Sequence, residues 1–136
     1  MFLFWGINFS KVYRSDIDFD WIELVKIIDG DTIEVKIENK IESVRLIGID
    51  APEIEEKTKE KGLESKKYLE ELIKNKKIRL ENDKTQEDRD IYHRLLRYVF
   101  TEDGILINKE MIKSRMAKEY TFKIPYKYQK EFRELR

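Results

Sequence analysis

Apolar and polar residues alternate over residues 32–37, which is the pattern of a strand with one buried face. A β-rich run over residues 21–28 comes before this stretch. The Asp29-Gly30 pair that follows the run is typical of a hairpin turn. The pattern therefore predicts two antiparallel strands joined by a tight turn.

A third alternating stretch covers residues 41–49, after a turn at residues 38–40. Val44 and Leu46 share one face of it, so Arg45 between them points to the other face. Three strands connected by short turns predict an antiparallel meander in which Arg45 is directed away from the core.

Helical periodicity begins after a polar loop over residues 51–60, where apolar residues at three- and four-residue spacing predict a helix over residues 63–74. Two more strands are predicted over residues 77–81 and 95–101, with a charged loop over 82–90 between them. A helix capped by Asn108 follows and carries Met111, Ile112 and Met116, and a last helix starts at Pro125.

This order of elements predicts an α+β fold that is mostly β: a five-stranded Greek-key barrel of the OB type with about three helices. A chain of 136 residues has the length of one domain. Because the first predicted strand starts at Trp21, we expect residues 1–20 to form an N-terminal extension and residues 21–136 to form the barrel domain.

Charge divides the chain into two unlike halves, although the formal net charge is zero. Residues 1–60 carry 8 Lys/Arg and 14 Asp/Glu, whereas residues 61–136 carry 20 and 14. An acidic half beside a basic half suits a cation site next to a groove for a polyanion. A solvated surface of mixed charge is the simpler alternative. The absence of Cys excludes disulfides, zinc–thiolate centres and cysteine nucleophiles.

The first five residues are apolar, but this run is too short for a signal peptide or a membrane span. We therefore expect a cytoplasmic location, with secretion by another route left open. We also expect no membrane partner and a monomeric state.

Charged residues on three separate segments supply the candidate chemistry: Asp31, Arg45, Asp50, Glu53 and Arg94. Carboxylates ligate hard divalent cations such as Ca²⁺ or Mg²⁺, and guanidinium groups hold phosphate oxygens in a bidentate manner. A cation and two arginines aimed at a phosphodiester stabilise the charge that builds up when water attacks phosphorus. A nearby carboxylate can take the proton from that water.

These segments resemble motifs of the staphylococcal nuclease (thermonuclease) family. They read Ile-Asp-Gly-Asp-Thr at residues 28–32, Arg-Leu-Ile-Gly-Ile-Asp-Ala-Pro-Glu at 45–53 and Tyr-His-Arg at 92–94. The resemblance runs from about Trp21 to the C-terminus. It implies a calcium-dependent phosphodiesterase that acts on DNA or RNA and leaves 5′-hydroxyl and 3′-phosphate ends.

The resemblance also implies a role for each matching residue. Three residues would ligate Ca²⁺: Asp31, Asp50 and, through its backbone carbonyl, Ala51. Glu53 would position or deprotonate the attacking water. Arg45 and Arg94 would clamp the scissile phosphate, and Arg94 would assist the leaving oxygen. Asp29 would shape the turn or support the metal indirectly.

Several positions depart from the family pattern. His93 and Arg115 stand where the family often has Gly, and Ile91 stands where it often has Lys. Tyr120 and Phe122 lie near the place of the aromatic residues that flank the nucleotide, so we expect them to bind substrate; packing of this aromatic cluster with the last helix is the equal alternative. With the neutral net charge, these departures predict weaker affinity for nucleic acid rather than different chemistry.

Simpler interpretations exist for each residue taken singly. The acidic turn residues can serve the turn alone, and Arg45 or Arg94 can form surface ion pairs of little energetic value. Two further hypotheses concern the whole domain: a non-catalytic nuclease-like module that binds nucleic acid or a protein ligand, and an ordinary OB-fold binder that needs no Ca²⁺. The presence of all five charged residues in family order favours the enzyme.

Overall fold

The computed structural model describes residues 16–135. The elements in this range are β1 (Ile17–Asp29), β2 (Thr32–Ile37), β3 (Lys40–Leu46), β4 (Ile49–Asp50), α1 (Lys59–Ile73), β5 (Ile78–Glu81), β6 (Leu95–Thr101), α2 (Ile107–Lys113), β7 (Lys118–Glu119) and α3 (Gln129–Arg133). Five strands close a barrel in the order β1-β2-β3-β6-β5, and β4 pairs with β7 in a separate ribbon. This mostly-β barrel with three helices confirms the predicted fold class.

Neighbouring strands of the barrel run antiparallel, except that β3 and β6 run parallel. The alternation read from the sequence decides which side chains fill the barrel. Ile33, Val35, Val44 and Leu46 are fully buried, and Arg45 lies on the outer side of β3 as expected. Burying one side chain of this size contributes about 1.5–3 kcal/mol, so a small number of strand residues provides much of the driving force.

Helix α1 packs against β1 and α2 and supports the barrel near the turn after β1. Leu69 and Ile73 are fully buried. Ser65 is buried as well, and its hydroxyl is satisfied by donating to the carbonyl of Met116 at 2.5 Å. Gly30, in the turn between β1 and β2, packs against this helix so closely that an added Cβ would lie 2.7 Å from the Cβ of Ser65. The turn and α1 are therefore held in direct contact.

Two strand boundaries differ from the expectation. Strand β1 begins at Ile17, not at Trp21, because Ile17 and Phe19 already pair with β5. The third strand ends at Leu46, because Gly48 has a φ of +85° and turns the chain into β4. The ring of Tyr126 packs against Gly48, where an added Cβ would lie 2.6 Å from Tyr126 Cε2.

The helix starts also differ. Asn108 does not cap α2, because it lies inside the helix and is buried. Its amide nitrogen donates to the carbonyl of Ile47 at 2.8 Å, and its amide oxygen accepts from the backbone N–H of Val99 at 2.9 Å. Helix α3 begins at Gln129, not at Pro125. Helix α1 begins at Lys59, four residues before the predicted start.

Residues 1–15 lie outside the described range, so the proposed N-terminal extension stays a prediction. None of the helices within residues 16–135 has the length and apolar character needed to cross a membrane.

Candidate active site

Asp31 stands in the two-residue turn between β1 and β2 and connects three parts of the fold. Its backbone N–H donates to Asp29 Oδ1 at 3.0 Å, and its backbone carbonyl accepts from Leu46 N–H at 2.9 Å. Its carboxylate accepts from the Ala51 backbone N–H at 2.8 Å and from the Thr32 hydroxyl at 2.9 Å. Only 9% of the Asp31 side chain is exposed, so this negative charge is held largely out of water.

Arg45 extends from β3 to the same point. Its Nη1 donates to the backbone carbonyls of Leu46 at 2.7 Å and Ile49 at 2.9 Å. Its Nη2 lies 3.5 Å from Asp31 Oδ2 and 3.7 Å from Asp50 Oδ1. One guanidinium therefore binds both candidate metal-ligating carboxylates and fixes the turn between β3 and β4.

Asp50 and Ala51 reach the site because β4 is turned back by Gly48. The Asp50 side chain is 58% exposed, unlike that of Asp31, so solvent and a substrate can approach it. Ala51 is buried, and its N–H is the group that holds the Asp31 carboxylate. The structure thus brings the three residues expected to hold Ca²⁺ together around Arg45.

Arg94 approaches from the other side, in the loop directly before β6. Its Nε donates to Asp90 Oδ2 at 2.7 Å, and Asp90 Oδ1 accepts the backbone N–H groups of Tyr92 and Arg94, each at 2.9 Å. Its Nη1 lies 3.4 Å from the Thr32 hydroxyl oxygen. Because that hydroxyl also donates to Asp31, Arg94 is linked to the carboxylate cluster through one side chain.

Glu53 differs from the other four charged residues. It is exposed, and its carboxylate makes no hydrogen bond or ion pair with any residue in the described part of the chain. Its backbone is nevertheless fixed, because its carbonyl accepts from the Thr58 hydroxyl at 2.5 Å and lies against Gly62 of α1. An added Cβ at Gly62 would come within 2.6 Å of that carbonyl oxygen. The carboxylate therefore has a fixed anchor and unused acceptor capacity.

Asp29 adds a second acidic group beside Asp31. Partial burial and the negative charge of Asp31 raise the pKa of Asp29 to about 6. A raised carboxyl pKa means that negative charge at this position is unfavourable without a neutralising partner. A cation bound nearby would relieve this repulsion.

The donor set suits a hard divalent cation, although among residues 16–135 no three Asp, Glu or His side chains already converge on one point. Two carboxylates and a backbone carbonyl are oxygen ligands of the kind that Ca²⁺ and Mg²⁺ prefer, and they leave positions for water and phosphate. The acidic pair at the turn provides the local charge for such an ion.

Tyr120 and Phe122 follow β7, whose partner strand β4 contains Asp50. The two residues are 42% and 56% exposed, and within residues 16–135 no hydrogen bond or ring contact joins either side chain to the five charged residues. His93 and Arg115, which stand at the positions where glycine was expected, have positive φ angles of 66° and 65°. Both backbones therefore adopt the left-handed conformation that glycine enters without strain.

Two residues of the site were not predicted. Thr32 connects Asp31 to Arg94 through its hydroxyl, and Asp90 positions the Arg94 guanidinium. The signal for Thr32 was its place inside the Asp-Gly-Asp-Thr motif. Asp90 lies four residues before Arg94, and nothing in the sequence shows that one of its oxygens binds the guanidinium while the other closes the loop.

Comparison with known proteins agrees with this geometry. A family model described as staphylococcal nuclease homologue matches residues 43–136. The chain is 33% identical over 124 residues to a thermonuclease of Staphylococcus hyicus, which covers 89% of this chain and 72% of that protein. It is 36% identical over 112 residues to a thermonuclease of Staphylococcus intermedius, covering 80% and 62% of the two chains. It is 34% identical over 116 residues to endonuclease YncB of Bacillus subtilis (strain 168), covering 82% and 54%.

Proposed function

Because the chain belongs to the family of staphylococcal nuclease homologues, we propose that it is a metal-dependent nuclease that hydrolyses phosphodiester bonds of DNA, RNA or both. The observation that carries the proposal is the position of Arg45, within 4 Å of both Asp31 and Asp50, with Arg94 linked to the same cluster through Thr32. Two carboxylates and two guanidinium groups at one point of the surface match the charges of a bound cation and a phosphate.

In the proposed reaction, water attacks phosphorus and loses its proton to the Glu53 carboxylate. The bond between phosphorus and the 5′ oxygen breaks and that oxygen takes up a proton from solvent water, which leaves a 3′-phosphate on one product and a 5′-hydroxyl on the other. Glu53 suits the role of base because it is exposed and its carboxylate is not engaged by any described residue. A positioned base of this kind contributes about 10²–10⁴-fold to a rate.

The two arginines have different positions and therefore different tasks. Arg45 is fixed by two carbonyl groups, so it presents its remaining N–H groups in a set direction toward a non-bridging phosphate oxygen. Arg94 is held through Nε by Asp90, which leaves its outer nitrogens for the phosphate and the departing 5′ oxygen. Such donors act more strongly on the transition state than on the ground state, since the charge on these oxygens grows during attack.

Asp31, Asp50 and the carbonyl of Ala51 would hold the metal ion, which we propose to be Ca²⁺. A bound divalent ion would polarise the phosphate and neutralise the charge developing on its oxygens. The neighbouring Asp29, whose pKa is raised by burial and by Asp31, would favour occupancy through its charge.

The proposal is tested by incubating the protein with heat-denatured DNA and with RNA, in millimolar Ca²⁺ or in a chelator. We expect cleavage in Ca²⁺, none in chelator, and fragments that carry 3′-phosphate ends. Cleavage that persists in chelator and disappears in the Glu53→Gln variant would refute the metal requirement, whereas the role of Glu53 as the base would stand. Binding without cleavage under every condition would instead identify a non-catalytic nuclease-like module.

A further inference from the structure

A second surface, which we call the C-terminal groove, lies beside the candidate active site. It is an open depression of about 740 Å³ between the end of α2, strand β7 and helix α3. Its lining includes the buried apolar side chains of Ile112 and Phe132. Its rim carries three cationic side chains: Arg115, Lys118 and Arg133.

Two of these cations form no ion pair in the part of the chain that the structure describes. Arg115 and Lys118 are exposed and form no ion pair with any carboxylate in residues 16–135. Arg133, by contrast, lies 3.3 Å from Glu119, the single acidic residue among those that line the groove. The two oxygens of Glu119 are satisfied within the fold, because Oε2 also accepts from the hydroxyls of Thr121 and Tyr126, each at 2.7 Å. Among residues 16–135 the groove therefore carries two cations that form no ion pair, and Lys118 is the cross-strand neighbour of Asp50.

The groove is linked to the candidate active site through the β4–β7 ribbon. Lys118 is the direct partner of Asp50 in the β4–β7 ribbon. Directly paired residues in an antiparallel ribbon project their side chains from the same face. Lys118 thus stands between the cluster around Asp50 and the rest of the groove, where Arg115 lies three residues earlier.

Arg115 also occupies a costly backbone conformation. Its φ is +65°, just after α2 ends, in the left-handed region where a residue with a side chain is disfavoured by about 1–2 kcal/mol relative to the right-handed helix. The chain makes no ion pair within the described residues that would explain an arginine there. Strained positions are often kept where the side chain has a use.

We propose that the C-terminal groove binds the phosphodiester backbone of the substrate strand beside the cleaved bond, with Arg115 and Lys118 each contacting one phosphate. This inference rests on the proposed nuclease function and names the substrate that the site takes: a polynucleotide strand longer than the cleaved dinucleotide unit. The occupant is a polyanion because the rim supplies cations that form no ion pair within residues 16–135, and it is the same strand because the rim adjoins Asp50.

The test uses the double variant Arg115→Gln with Lys118→Gln, which removes two charges and keeps side chains of similar length. The matched control is Lys36→Gln with Lys40→Gln. These exposed lysines lie at the closed end of the β2–β3 hairpin, whereas Arg45 lies at its other end. The quantity compared is the ratio of kcat/KM for a single strand of about 12 nucleotides to kcat/KM for a dinucleotide.

We expect this ratio to fall on the order of tenfold in the groove variant, through KM, and to stay unchanged in the control. The slope of log(kcat/KM) against log[salt] for the longer strand should become shallower by about 1.4, since each lost contact to single-stranded nucleic acid accounts for about 0.7. The charge-keeping exchange Arg115→Lys with Lys118→Arg should restore both quantities.

An unchanged ratio in the groove variant, or an equal fall in the control pair, would overturn the proposal. A second measurement separates this failure from failure of the nuclease function. In the Glu53→Gln background, fluorescence anisotropy gives the Kd of the labelled longer strand without any cleavage. If the wild type cuts neither substrate but the groove variant still binds the strand about tenfold more weakly, the nuclease function fails and the groove assignment stands.

Discussion

Replacing Arg45 by Ala is expected to weaken the fold as well as the chemistry. The change removes two hydrogen bonds to the carbonyls of Leu46 and Ile49, which belong to fully buried residues. It also leaves Asp31, with 9% of its side chain exposed, without its cationic partner. Removing one partner of a buried ion pair costs about 3–5 kcal/mol. Since the Arg45 side chain is itself 15% exposed, we expect a loss at the lower end, about 3 kcal/mol.

Urea unfolding followed by circular dichroism, in chelator, measures this loss directly. The control is Lys76→Ala, which breaks the 2.9 Å ion pair with Asp103, whose side chain is 51% exposed, and should cost less than about 1 kcal/mol. If Asp31 and Asp50 hold Ca²⁺ as proposed, saturating Ca²⁺ should stabilise Arg45→Ala, because an ion that binds only the native state raises the free energy of unfolding. If Arg45→Ala loses no more stability than Lys76→Ala, the charge of Asp31 is not held out of water as the geometry indicates.

Further predictions concern the base, the second arginine, a buried carboxylate and two glycines. Glu53→Gln and Arg94→Lys should each lower kcat by on the order of 10²-fold with an unchanged melting temperature, and a near-normal rate in either would move the chemistry elsewhere. Burial raises the pKa of Asp83, but hydrogen bonds to its carboxylate outweigh this and hold the pKa below its ordinary value. The Asp83 carboxylate therefore stabilises the fold fully above about pH 4, and this stabilisation is lost as the pH falls through the lower pKa of the folded state. Asp83→Asn should lower the melting temperature at pH 7, and its melting temperature should approach that of the wild type in acid. Gly62→Ala should reduce kcat/KM by about tenfold or more, because the new methyl group would displace the Glu53 carbonyl. For the same reason it should not give the stabilisation that Ala usually brings to a helix in place of Gly, and a more stable and fully active variant would contradict this. Gly104→Ala should cost about 1 kcal/mol through its φ of +82° alone, since nothing lies within 4 Å of the added atom, and calorimetry measures it.

The sequence predicted the barrel well where the alternation of apolar residues was interrupted by turn residues. Strands β2 and β6 have the bounds that the pattern predicted, because each is a short alternating or β-rich stretch between polar turns. The start of β1 was missed although Ile17 and Phe19 alternate with aspartates. Those aspartates suggested an extension, whereas in the structure Asp18 pairs with the buried Arg97 at 2.8 Å.

Tertiary contacts account for the other differences. The run from Leu46 to Ile49 reads as continuous strand, and the turn at Gly48 depends on the Tyr126 ring, 78 residues later. Asn108 has the composition of a helix cap, but its amide joins β6 to the turn after β3 and is buried. Local propensity cannot distinguish these two uses, because the deciding partners are distant in the chain.

The candidate site residues were identified by spacing, but their connections were not. Their spacing predicts that Asp31, Arg45 and Asp50 form one group. The structure adds the distances, since Arg45 Nη2 lies 3.5 Å from the Asp31 carboxylate and 3.7 Å from that of Asp50. The Thr32 hydroxyl and the second oxygen of Asp90 have no sequence signal of their own. Their roles follow from the direction of each side chain, which only the folded backbone sets.

The parallel pairing of β3 with β6 has a consequence for the order in which the molecule becomes functional. Val44 pairs with Leu95, so Arg45 and Arg94 are brought to the same site only when two segments about 50 residues apart in sequence dock. Docking of such distant segments has a large loop-closure cost and is therefore expected late in folding. A shift of this pairing by one residue would also turn Arg45 inward. The rate at which cleavage returns during refolding would therefore report when β3 and β6 pair and close the barrel. A nascent chain that ends before β6 could not digest nucleic acid.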